Sequence, residues 1–103
     1  MRTVSKYHGA CNDFIIVDAR EQPVDDAHGF AQHWCDRHVG IGADGVLILG
    51  TSNRANVSMR VINADGSEAE MCGNGVRCVA RYLDERGGSA SLAIDTLGGL
   101  VHT

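Results

Sequence analysis

Apolar and polar positions alternate along this chain with two distinct periods, and the change of period divides it into elements. Val4 to Lys6 reads as a short first strand, and Tyr7 to Asp13 as a polar turn. Phe14-Ile15-Ile16-Val17 is a continuous β-branched and aromatic run, which predicts a strand buried on both faces. After a surface loop from Arg20 to Asp25 with the chain's one proline, Asp25 or Asp26 can cap a helix reaching about Arg37. Phe30, Trp34 and, at its end, Cys35 are expected on its buried face. Val46 to Leu49 is a second unbroken apolar run and a predicted strand. Val57, Met59 and Val61 alternate with Ser58, Arg60 and Ile62, a period-two strand with a partly apolar outer face, and Asn63 to Gly66 is a turn. The period then becomes helical. Val76, Val79, Ala80 and Leu83 fall at i, i+3, i+4 and i+7, with Cys78 and Tyr82 beside that stripe. Gly87-Gly88 ends this helix, and Ser91–Thr96 and Leu100–His102 form a hairpin around Gly98-Gly99. Strands mixed with two helices predict an α/β or α+β fold.

At 103 residues, 44% of them hydrophobic, the chain is sized for one folded unit. Nine basic against 13 acidic residues give a formal charge of −4, which argues against nucleic-acid and anionic-membrane partners. The first residues lack the apolar run of a signal peptide, so a cytoplasmic location is expected. Cys11, Cys35, Cys72 and Cys78 contain no C-x-x-C pair, so reduced thiols are expected rather than a disulfide framework or a zinc site. Lys6 is the only lysine, leaving covalent pyridoxal phosphate chemistry no other Schiff-base candidate. Gly40-Ile41-Gly42-Ala43-Asp44-Gly45 spells the dinucleotide fingerprint G-x-G-x-x-G. It runs from a helix into a strand, the reverse of the order that cofactor site needs, and reads instead as a flexible turn.

The chemistry concentrates in Asn63-Ala64-Asp65-Gly66-Ser67-Glu68-Ala69-Glu70-Met71-Cys72-Gly73-Asn74-Gly75-Val76-Arg77-Cys78, where a glycine-rich turn feeds a helix. Three readings fit Cys72 to Gly75. Cys72 can be a structural cysteine. The N–H groups of Gly73, Asn74 and Gly75 can form an anion site. Or Cys72 can add an acid/base or nucleophile to that anion site, since thiols at helix N-termini have pKa values of roughly 3.5–7.5 against about 8.5 when free. Asn12, at the mouth of the second strand, is either a turn former or an amide presented to a ligand.

Three blocks carry a resemblance. His8-Gly9-x-x-Asn12-Asp13-Phe14, Cys35-Asp36-Arg37-His38-x-Gly40-Ile41-Gly42-Ala43-Asp44-Gly45 and the Asn63–Cys78 stretch resemble, in order and spacing, the diaminopimelate epimerase family. One departure is Cys11, where the family usually has glycine. The resemblance implies a cofactor-independent epimerase of LL- and meso-diaminopimelate in lysine biosynthesis, with no metal. It implies two similar lobes, each a curved, mainly antiparallel sheet wrapped around a central helix, and a cysteine from each lobe facing the substrate α-carbon. By motif, Cys72 is the catalytic acid/base of the first lobe. Gly73 and Asn74 bind the α-carboxylate, and Asn12 and Asn63 contact the substrate. The family's second Cys-Gly-Ser/Thr-Gly block is not found here. Cys78 points another way along the same helix, and Cys11 and Cys35 lack the helix-entry context. Residues 1–103 are therefore expected to be an N-terminal lobe, with little activity alone. The alternatives are an interaction module that docks with a separate second lobe or self-dimerises, and a related amino-acid racemase or isomerase.

Overall fold

The computed structural model describes residues 3–9, 12–70, 72–88 and 92–103. Cys11, Met71 and Ser91, which the sequence places in a turn, ahead of Cys72 and at the start of the last hairpin, lie outside the described residues. The elements are β1 (Ser5–Gly9), β2 (Asn12–Asp18), α1 (Ala27–Trp34), β3 (Gly45–Gly50), β4 (Val57–Asn63), β5 (Glu68–Ala69), α2 (Gly73–Asp84), β6 (Ala93–Thr96) and β7 (Gly99–His102). They build a mixed α+β fold around one seven-stranded sheet in the order β1-β2-β3-β4-β6-β7, with β5 also paired to β4. No helix among the described residues is long and apolar enough to cross a membrane.

Pairing is antiparallel except between β2 and β3 and between β4 and β6. These two parallel pairs need crossovers, and α1 and α2 supply them. Both crossovers step in the same direction across the sheet, but β2 and β3 point opposite to β4 and β6. Right-handed connection then requires the two helices to lie on opposite faces. They do. Phe14, Ile16, Leu47, Leu49, Met59 and Val61 pack under α2, whereas Ile15, Val17, Val46, Ile48 and Ile62 pack under α1. Double coverage is why β2 and β3 are apolar without alternation. It also corrects the expectation for β4, whose outward-pointing Ile62 is fully buried beneath α1.

α1 buries Cys35 as expected, but with Ala27 and Ala31 rather than with Phe30 and Trp34. Ala27, Ala31 and Cys35, spaced at i, i+4 and i+8, contact the sheet, while Phe30 is half-buried and Trp34 is 39% exposed. Phe30 and Trp34 lie along the flank with ring centroids 6.3 Å apart, and the small residues let the helix sit close to the strands. The helix also stops earlier than Arg37. Asp36 Oδ1 accepts from the N–H groups of His38 and Val39 at 2.7 and 3.1 Å, a local turn that competes with further helix.

α2 follows its apolar stripe closely. Val76, Val79 and Leu83 are buried, and so are Cys78 and Tyr82 beside them, so the helix is enclosed on more than one side. It begins at Gly73, ahead of the stripe, and Gly88 N–H closes its far end on Leu83 O at 2.8 Å. The final hairpin is present as β6 and β7. The two-residue β5 was not anticipated, being too short for a periodic signal.

A candidate active site at the amino end of α2

Gly9 ends β1, Asn12 opens β2, Gly45 opens β3 and Asn63 ends β4, and the strand registers place all four at the same end of the sheet. The amino end of α2 comes down onto this end. Asn74 Nδ2 donates to Asn12 Oδ1 at 2.8 Å, joining α2 to the mouth of β2. Two glycines permit the approach. A Cβ at Gly9 would stand 2.9 Å from Asn74 O and 3.0 Å from Cys78 Sγ, and one at Gly75 would stand 2.9 Å from Leu47 Cδ2. At Gly9 the obstacle is backbone, so the first turn of α2 can lie against the sheet only without a side chain there, whereas at Gly75 it is the tip of the Leu47 side chain.

Cys72 occupies the N-cap of α2 with an extended backbone, φ −138° and ψ 116°, and its side chain makes no capping bond. The first backbone bond of the helix runs from Val76 N–H to Cys72 O at 2.9 Å. Among the described residues nothing accepts from the N–H groups of Gly73, Asn74 or Gly75. A Cβ on Gly73 would meet nothing within 4 Å, so this terminus opens outward. Orphan donors, the positive end of the helix dipole and a half-buried thiol therefore share one location. Chemically this can hold a carboxylate and present sulfur beside it.

The other thiols differ. Cys35 is buried behind α1, and burial, followed by the nearby Asp13 charge, pushes its pKa up to about 11. Cys78 lies buried within α2 and is raised, chiefly by burial. Neither is placed to face Cys72 across a ligand. Asn63 stands on the same sheet end, but its amide donates to Ser67 Oγ at 3.1 Å. Among the described residues it makes no hydrogen bond to Asn12, Cys72 or Asn74. The structure thus joins Asn12 and Asn74 next to Cys72 and Gly73, and leaves Asn63 at the same sheet end but bonded within its own turn.

One feature of the site escaped the sequence reading. Asp13, beside Asn12, receives Lys6 Nζ at 3.1 Å and both terminal nitrogens of Arg37 at 3.0 and 3.2 Å. The Arg37 guanidinium, together with Lys6, holds the Asp13 carboxyl well below the usual carboxylate range against the opposing effect of burial. Asp44 sits alongside, 3.3 Å from Arg37. Asp13, Arg37 and Asp44 all lie in the quoted motif blocks, but nothing in their spacing says that they pair. The glycine-rich stretch 40–45 leads into β3, as expected, and Gly42 O accepts from Lys6 Nζ. A concavity of about 760 Å³ lined by Arg20, Tyr82 and Arg86 lies at the carboxyl end of α2, and none of these candidate residues lines it.

A family model described as diaminopimelate epimerase matches residues 4–103, nearly the whole chain and every segment of this site. The chain belongs to the diaminopimelate epimerase family. It is 52% identical over 101 residues to the diaminopimelate epimerase of Pelotomaculum thermopropionicum, covering 94% of the chain and 36% of that relative. It is 48% identical over 101 residues to the enzyme of the same name from Heliobacterium modesticaldum, covering 93% of the chain and 36% of that relative. The chain therefore spans about a third of the length of these curated relatives. Among solved structures, the Bacillus anthracis phenazine biosynthesis protein of the PhzF family superimposes with a TM-score of 0.72 at 24% identity, over 98% of this chain and 33% of that one. At that identity the likeness concerns the fold alone.

Proposed function

We propose that this chain is the first lobe of a cofactor-independent isomerase that converts LL-diaminopimelate to meso-diaminopimelate, a cytoplasmic step of lysine biosynthesis. The observation that carries the reading is the start of α2, where Cys72 makes no capping bond and stands beside three N–H groups unclaimed among the described residues, in a chain of this family. Cys72 is the acid/base group. Gly73 and Asn74 receive the α-carboxylate of the reacting centre on the helix terminus, and Asn12 and Asn63 contact the substrate.

The chemistry balances with one further thiol. A thiolate removes the α-proton, and a thiol on the opposite face delivers a proton to the carbanionic carbon. The centre inverts while the first sulfur becomes a thiol and the second a thiolate. An amino-acid α-proton is a very weak acid, so negative charge growing toward the carboxylate must be met by preorganised donors in a site shielded from water. The open donors of α2 suit that demand. The opposed thiol is assigned to a second lobe: Cys35 and Cys78 are buried in the core, and Cys11 lies outside the described residues. The alternatives of self-pairing, docking as a binding module and turnover of another amino acid find no specific support in the geometry.

The test is α-proton exchange of LL- and meso-diaminopimelate in deuterated water. It uses this chain alone, the chain with the second lobe of the Pelotomaculum relative, and that mixture carrying Cys72→Ala. Exchange is expected only when both lobes are present, and Cys72→Ala is expected to lower it by about 10²–10⁴-fold. Exchange that survives Cys72→Ala removes Cys72 from the acid/base role. Full exchange by the chain alone defeats the two-lobe reading.

A further inference from the structure

Asp44 belongs to none of the roles above, yet the segments of the site meet on it. Its Oδ2 accepts from Asp13 N–H at 3.0 Å and from Asn12 Nδ2 at 3.4 Å, and its Oδ1 accepts from Arg37 at 3.3 Å. Its own N–H returns to Asp13 O at 2.9 Å, and its carbonyl accepts from Ala64 N–H at 3.1 Å, next to Asn63. From Asn12 the chain of contacts continues, because Asn12 Oδ1 accepts from Asn74 Nδ2 at 2.8 Å.

An ionised carboxylate can only accept, whereas a side-chain amide has a donating and an accepting end. Asn12 must therefore turn its NH₂ toward Asp44, which leaves its oxygen facing α2, and Asn74 must answer with its own NH₂. Reversing Asn12 would set its oxygen against the carboxylate and its NH₂ against the NH₂ of Asn74. We infer that Asp44 is a positioning residue whose carboxylate sets the amide polarity of Asn12 and, through Asn12, of Asn74. The second N–H of Asn12 and the oxygen of Asn74 are thereby kept uncommitted among the described residues. The importance of that polarity rests on the proposed function, in which Asn12 and Asn74 meet the substrate.

The inference is tested in the 103-residue chain by side-chain amide ¹H–¹⁵N spectra, assigned with Asn12→Ala and Asn74→Ala. The unaltered chain is expected to show one pair of Asn74 signals, with one proton protected from solvent exchange. Asp44→Asn keeps the shape and an acceptor for Asp13 N–H but admits both polarities. It is expected to double the Asn74 signals or abolish their protection, though residue 44 makes no hydrogen bond to Asn74 among the described residues, while backbone signals of both helices stay in place. Asp44→Ala is expected to abolish the protection. Arg37→Ala removes a neighbour but keeps the carboxylate, and is expected to leave the Asn74 signals single. Unmoved Asn74 signals in both Asp44 variants overturn the inference. So does a disturbance by Arg37→Ala equal to that of Asp44→Asn, which marks general loosening. No turnover is involved, so failure of the exchange test for Cys72 and failure here are separate results.

Discussion

The two helices begin in opposite ways. At α1, Asp26 closes the start of the helix, its carboxylate accepting from Gly29 N–H at 3.0 Å. At α2, Cys72 holds the N-cap position and caps nothing. A side-chain cap contributes about 1 kcal/mol, so the longer helix forgoes it at its first turn. It can do so because burial holds α2 in place: Val76, Cys78, Val79, Tyr82 and Leu83 are all in the core, against Ala27 and Ala31 within α1. The contrast teaches that α2 is anchored along its length, which lets it do without a side-chain cap at its terminus, while α1 is stabilised where it starts.

The strongest way to break this contrast is to give α2 the cap it lacks. Cys72→Asp, in the extended backbone already present, is expected to stabilise the chain by up to about 1 kcal/mol in urea melts. With a second lobe added, it is expected to lower α-proton exchange by about 10²–10⁴-fold, because the thiol is gone. An unchanged exchange rate would show that the open terminus serves something else.

A second variant pushes the first turn of α2 off the sheet and leaves Cys72 in place. Gly9→Ala drives a methyl toward Asn74 O and Cys78 Sγ and is expected to cost about 1–3 kcal/mol. Loss of protection at the Asn74 side-chain amide checks that the strain falls on α2.

The third concerns the charged network around Asp13 at the mouth of β2. Asp13 has its folded-state pKa lowered by Arg37 and Lys6, so its contribution is whole above the unfolded carboxyl value of about 3.9 and fades as pH falls below it. Asp13→Asn is expected to cost about 1–3 kcal/mol at neutral pH and to flatten the decline of stability between neutral and acid. Denaturant midpoints across that range check the sign.

The smallest effect sharpens the contrast from the other side. Asp26→Ala is expected to cost about 1 kcal/mol, through α1 alone. Alkylation of Cys72 by iodoacetamide is expected to stay as it was, with Cys35 and Cys78 slow in both forms because both are buried and raised in pKa.

Much of the fold is legible locally. β2 and β3 declare double burial by unbroken apolar runs, α2 declares its face by a stripe, and the glycines after Leu83 declare its end. The errors have local causes too. Phe30 and Trp34 are the large apolar residues of α1, so they attract the assignment of the buried face. The sheet instead takes Ala27 and Ala31, because a helix crossing close above Ile15, Val46 and Ile62 has room for small side chains. At the site, Cys72 and its glycines announce themselves by composition, whereas Asp13, Arg37 and Asp44 do not, since salt bridges leave no periodic trace.

By itself the sequence determined most of the strands and both helices, that a cysteine and a glycine-rich turn lead into one of those helices, and to which family the chain belongs. Those are properties of neighbours along the chain or of matched motifs. Only the tertiary structure decided that Asn74 meets Asn12, 62 residues away, and that Asp44 meets both Asn12 and Arg37. Such pairings depend on crossover handedness and strand register, which bring distant polar residues to one end of the sheet without any requirement on the residues between them.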